Sequence, residues 1–197
     1  MKKILILTAL IGLLLVGCQQ DNSIVSPMGD NTGSSSVIEP NWISFPPPAH
    51  RSAEKVFYLE EWVDPSHATN LKIKDRYDTP DGPHEEVKVD CKLKFMPGAV
   101  TEPVLVSWEY DDESGISTFL PHQLFYAPVE LTVKVYGMEL VPGDELLINF
   151  YYFWNDENGV EHVECIDYSQ LNIDIDEGSL ELRDAIIPHF SRFGFAR

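Results

Sequence analysis

The feature that most constrains this chain is alternation with a period of two. Val129, Leu131, Val133 and Val135 are interleaved with Glu130, Thr132, Lys134 and Tyr136. Val87, Val89, Cys91, Leu93 and Phe95 are interleaved with Lys88, Asp90, Lys92 and Lys94 in the same way. Successive side chains of an extended strand point to opposite faces, so each run places one apolar face on a core and one polar face in water. Turn chemistry recurs between such runs. Thr79-Pro80-Asp81-Gly82 offers a proline preset for a turn and a glycine available for positive φ. Glu177-Gly178 divides Leu171–Asp176 from Ser179–Leu182, and 155–159 divides 146–154 from 160–166, each as a hairpin. No segment shows convincing helical periodicity. About nine to eleven short strands with this spacing predict an all-β fold, an antiparallel, immunoglobulin-like β-sandwich with almost no helix.

The first residues address compartment. Met1-Lys2-Lys3 is a positive start, and the apolar run Ile4 to Val16 is too short to cross a hydrocarbon core of about 30 Å as a helix. Such a pattern reads as a secretory signal. Leu15-Val16-Gly17-Cys18 resembles the lipobox of bacterial lipoproteins. The resemblance implies removal of 1–17, acylation of Cys18 and attachment to the membrane through that lipid. Gln19 stands where an aspartate holds many lipoproteins in the inner membrane, so the outer membrane, on its periplasmic face or at the cell surface, is expected. Residues 18–50 follow as a flexible tether rich in Ser, Pro and Gly and ending in Pro46-Pro47-Pro48, with a single sandwich domain over 51–197. Trp42, Ile43 and Phe45 depart from the tether's composition and are candidates to dock on the domain as an edge segment.

With 14 basic and 32 acidic residues the net charge is −18, and loss of Lys2 and Lys3 with the signal takes it to −20. A field of that sign repels phosphate backbones and anionic headgroups, so no nucleic-acid partner is expected. The acids are scattered and read as a solvated outer face. Besides Cys18 the chain holds Cys91 and Cys165. In an oxidising compartment they are a candidate disulfide, closing a loop of about 75 residues and contributing roughly 4 kcal/mol. Two separate buried thiols are the alternative.

Three stretches together resemble the ZU-five domain, a β-sandwich module of zonula occludens proteins, netrin receptors and ankyrins. Lys94-Phe95-Met96-Pro97-Gly98-Ala99-Val100 is similar to that family's strand and proline–glycine corner. Phe125-Tyr126-Ala127-Pro128-Val129-Glu130-Leu131-Thr132-Val133 is similar to its central strand, and Pro188-His189-Phe190-Ser191-Arg192-Phe193-Gly194-Phe195 to its closing strand. Met96 and Ala127 depart from the family pattern. The resemblance spans roughly residues 85–197 and implies a structural or partner-binding unit. It also attaches a chemistry to His189-Phe190-Ser191, because some such modules cleave themselves between the Phe and the Ser. There Ser191 would be the nucleophile and His189 the base.

Other chemistry is sparse. The histidines show no metal-binding pairing of the HExxH kind. His162 and Glu164 share a strand face and are a weak cation pair, and the acidic turns 111–113, 156–157 and 174–177 do not follow a spaced calcium-loop pattern. No metal or cofactor is expected, and no nucleophile elbow, phosphate loop or CxxC occurs. Phe150-Tyr151-Tyr152-Phe153-Trp154 is aromatic on both strand faces, so it is either buried on both sides or presents a stripe to a glycan or protein partner. The sequence therefore predicts a lipid-anchored envelope module that binds a partner without turnover. Self-cleavage at Phe190–Ser191 and carbohydrate binding are the alternatives.

Overall fold

The computed structural model describes residues 41–48, 56–79, 83–111, 113–155 and 161–197. The signal and Cys18 lie outside these residues. The described chain forms eleven strands, β1 (Val56–Val63), β2 (Thr69–Asp78), β3 (Glu86–Phe95), β4 (Val104–Asp111), β5 (Ser117–Leu120), β6 (Leu124–Tyr136), β7 (Asn149–Asn155), β8 (Glu161–Cys165), β9 (Gln170–Asp174), β10 (Ser179–His189) and β11 (Arg192–Ala196). One helical turn, α1 (Asp144–Leu147), precedes β7. Leu146 and Leu147, expected at the start of a strand, belong to that turn.

The strands make two antiparallel sheets, of order β1-β4-β5-β11-β7-β8 and β2-β3-β6-β10-β9. The all-β sandwich is thus as the alternation predicts. The two most regular runs lie side by side at the centre of the five-stranded sheet. Cys91 pairs with Val133 and Leu93 with Leu131, so the apolar members of both strands share one face. That face closes on the aromatic face of the six-stranded sheet, where Trp108, Phe119, Phe150 and Phe193 are fully buried. Burying each such side chain contributes on the order of 1.5–3 kcal/mol.

Residues 41–48 correct the expected domain boundary at residue 51. Strands β5 and β11 pair over only two positions, Thr118 with Arg192 and Ser117 with Phe193. The rest of β11 is left without a strand on that side, and the segment from Asn41 to Phe45 fills the gap. Ile43 N–H donates to the Phe195 carbonyl (3.0 Å), Arg197 N–H to the Asn41 carbonyl (3.0 Å), and Phe45 N–H to the Glu113 carbonyl (2.7 Å). Ile43 and Phe45 are buried, and the buried Pro46 accepts a hydrogen bond from the Tyr77 hydroxyl at 3.1 Å. One glycine makes the fit: a Cβ on Gly115, at φ +65°, would stand 2.8 Å from the Phe45 ring. This part of the expected tether is a packed strap.

Candidate functional site

Two connections cross between the sheets side by side at one end of the sandwich. Pro121–Gln123 leads from β5 to β6, and Phe190–Ser191 leads from β10 to β11. They are tied together: Phe190 N–H donates to the Gln123 carbonyl (3.1 Å), Phe119 N–H to the Ser191 carbonyl (2.9 Å), and His189 pairs with Leu124. Phe190 is 1% exposed and inserts edge-on against Phe95 and Phe125 while stacking on Phe119. It pins the crossing by apolar burial.

Beside this joint lies a cleft of about 520 Å³, within the range of small-molecule sites. Tyr152, Trp154 and Phe190 give it aromatic walls, and His122, His189 and Asn155 give it polar ones. None of its lining residues is acidic, in a chain where about one residue in six is. Gln123 adds a buried side-chain nitrogen that finds no acceptor among the described residues.

The cleft brings His189 and Ser191 together, but not as a base and a nucleophile already joined. The Ser191 hydroxyl donates to the Phe153 carbonyl at 3.1 Å and also hydrogen-bonds Tyr152. His189 instead meets the Tyr152 ring edge-on, with ring centroids 4.4 Å apart. Burial holds the His189 imidazole below its ordinary value, opposed by a hydrogen bond to the Phe190 backbone and the charge of Glu164, while His122 adds to the lowering. The residue that sequence reading passed over is His122. Its Nδ1 lies 3.0 Å from the Phe190 carbonyl oxygen, to which a protonated Nδ1 donates. Nothing in the local sequence marks it, because the β5–β6 crossing carries it to a carbonyl 68 positions away in the chain.

The other candidates fall elsewhere. Cys91 is a free, fully buried thiol on the core face of β3, so the expected bridge to Cys165 is not formed. The reason is topological: Cys91 sits within the five-stranded sheet, whereas Cys165 is on β8, the edge of the other sheet, opposite Tyr151. Burial pushes the Cys91 thiol far up. His162 stacks on Trp154 (4.5 Å, 18° between planes), and no cluster of three metal-ligating side chains occurs among the described residues. Asp111 and Asp174 accept backbone N–H groups of their own turns, from Glu113 (2.9 Å) and Glu177 (3.0 Å). Residues 156–157 lie outside the described ones.

The aromatic strand β7 is buried rather than displayed, with Phe150 and Tyr152 facing the core and Phe153 covered by Trp42. Large exposed rings occur instead on edge strand β1, where Tyr58 and Trp62 are each 62% exposed, and on β6, where Tyr126 is 75% exposed. No family model, curated protein or solved structure matches this chain.

Proposed function

We propose that the chain is a lipid-anchored module of the cell envelope that binds a partner in the cleft between its sheets and carries out no turnover. The cleft itself carries this reading. It is concave, aromatic-walled and furnished with a few convergent polar groups, on a rigid frame of paired strands. The lipobox at Cys18 supplies the anchor, and the resemblance to a ZU-five module agrees with a binding role. Two measurements test the two halves. Detergent extraction should give a mature N-terminus at Cys18 carrying acyl chains, and Cys18→Ser should release the protein from the membrane; an unmodified, soluble wild type removes the anchor. A photo-crosslinking residue at Leu124, on the cleft rim, should form a discrete adduct in intact cells that one at the distant, exposed Val141 does not. Equal labelling at both positions, or none, removes the cleft.

One observation favours a second reading, self-cleavage at Phe190–Ser191. The carbonyl that Ser191 would attack already accepts a hydrogen bond from His122, as an oxyanion donor would give. Against it, the Ser191 hydroxyl is committed to the Phe153 carbonyl and must turn away before attack. A denaturing intact mass decides: loss of Ser191–Arg197, abolished by Ser191→Ala, supports cleavage, and a single full-length mass excludes it.

A further inference from the structure

A net charge of −18 conceals a face on which basic residues outnumber acidic ones. Strand β2 presents Lys72, Lys74 and Arg76 on the outer side of the five-stranded sheet, and β3 presents Lys88, Lys92 and Lys94 beside them. The register resolves this face into rungs running across β2, β3 and β6. In one, Lys94 pairs with Glu130 at 2.9 Å. In another, Lys74 pairs with Asp90 (2.6 Å), and Lys134 reaches Glu181 (2.5 Å). Near the end of the strands, Arg76 and Lys88 share Glu86 (3.6 and 2.7 Å).

The rung Lys72–Lys92–Thr132 breaks the pattern. Lys72 stands directly opposite Lys92, and Lys92 directly opposite Thr132, with no carboxylate in the row. Among the described residues neither lysine makes an ion pair, although each adjoining rung is matched. Directly opposite side chains start from Cβ atoms about 4.5–5.5 Å apart, and like charges so placed repel. A second feature lies one rung further along the same strands: a hollow of about 420 Å³ lined by Lys74, Arg76, Lys88 and Tyr136 and by the carboxylates Asp75 and Asp90.

We propose that this rung and hollow form a site for a phosphate-bearing ligand. The Lys72 and Lys92 ammonium groups close on the phosphate from two strands and the Thr132 hydroxyl donates from a third, so three donors meet a group with three free oxygens. The bound dianion turns the repulsion between the lysines into two attractions. Lysine suits this role as a point charge that needs no fixed fork. The rest of the ligand extends along the hollow toward Tyr136. The site lies on the outer face of the five-stranded sheet, shares no residue with the lining of the cleft and does not depend on it. The acidic remainder of the chain confines phosphate attraction to this face.

The test is thermal melting of the full chain in inorganic phosphate against chloride at equal ionic strength. Phosphate at about ten times its dissociation constant should raise the wild-type Tm by roughly 3–6 °C. The double variant Lys72→Gln/Lys92→Gln should lose that rise while melting no lower than wild type in chloride, because it also loses the repulsion. Lys134→Gln, which removes a paired lysine from the same face, should keep the rise. An equal rise in wild type and double variant, or none in either, overturns the site. Co-sedimentation with vesicles of phosphatidic acid, whose phosphomonoester headgroup keeps three free oxygens, then separates the sources. Binding that is lost in the double variant identifies a lipid headgroup, and a phosphate-dependent rise without such sedimentation identifies a soluble phosphate ester.

Discussion

Trp42 packs on Phe153 with ring centroids 4.5 Å apart, joining the strap to the outer side of β7. Arg192 lies over the same Phe153 ring at 4.5 Å from its centroid. The outer aromatic of β7 is therefore enclosed by a residue more than a hundred positions earlier in the chain, and the strap is part of the fold's stability.

Trp42→Ala should accordingly destabilise the domain by about 2–4 kcal/mol, since it removes the ring that covers Phe153. Urea unfolding should show a lower midpoint with an unchanged slope. Gly115→Ala should act on the same strap from the other side, because its Cβ collides with Phe45 at a backbone angle that alanine resists. If neither change moves the midpoint, the strap does not contribute to stability.

Asp144 and Arg197 form a two-pronged ion pair, with Nε–Oδ1 at 2.6 Å and an Nη2–Oδ2 bond at 2.9 Å. Asp144 is 1% exposed and also accepts the Val141 N–H at 2.9 Å. The hydrogen bond from Arg197, helped by the Val141 N–H and the guanidinium charge, holds the Asp144 carboxyl below its ordinary value against burial. A carboxylate lowered in the folded state adds stability that is present above its unfolded value, near pH 4, and is lost as the pH falls through the folded one. Arg197→Ala leaves a buried carboxylate without its cation, at a cost of roughly 2–4 kcal/mol near neutrality. That deficit should shrink as the pH falls below the ordinary carboxylate range and Asp144 protonates. A deficit independent of pH would show that the loss is one of packing alone.

His189 should make the cleft acid-sensitive. Burial is the main cause of its lowered value, so the unfolded chain takes up a proton before the folded one does. Stability is then full above the unfolded value, about pH 6.5, and declines as the pH falls below it. His189→Gln should flatten the fall in Tm below about pH 6.5. An unchanged slope would assign that fall to other groups.

Cys91 should be inert in the folded protein, because its thiol is fully buried and its thiolate strongly disfavoured. Peptide mapping after native alkylation should find it unmodified, and after alkylation in denaturant should find it labelled without any reductant. Labelling that requires a reductant would mean that the thiol is oxidised.

Strand identity was legible because it is local. The alternation of β3 and β6 shows in their own residues, and the turn at Gly178, with φ +58°, lies where Glu177-Gly178 places it. The β7–β8 hairpin spans the connection expected of it. The lead into β7 was misread as strand because Leu146 and Leu147 are as apolar as strand residues, yet they lie exposed in a helical turn. His189 and Ser191 were legible as residues but not as partners. What each bonds to, the Tyr152 ring and the Phe153 carbonyl, comes from a different strand.

The sequence by itself determined that this chain forms strands with one apolar face, because period-two alternation puts every second side chain on the same side, and the lack of helical segments to cover those faces pointed to strand packing on strand. Only the tertiary structure decided which strands became neighbours. That choice put Cys91 and Cys165 in different sheets, brought His122 to the Phe190 carbonyl, laid Trp42 over Phe153, and set Lys72 opposite Lys92. The physical reason is that each of these relationships joins residues far apart in the chain. The order and register of the strands fix such distances, and both are set by the packing of the whole core.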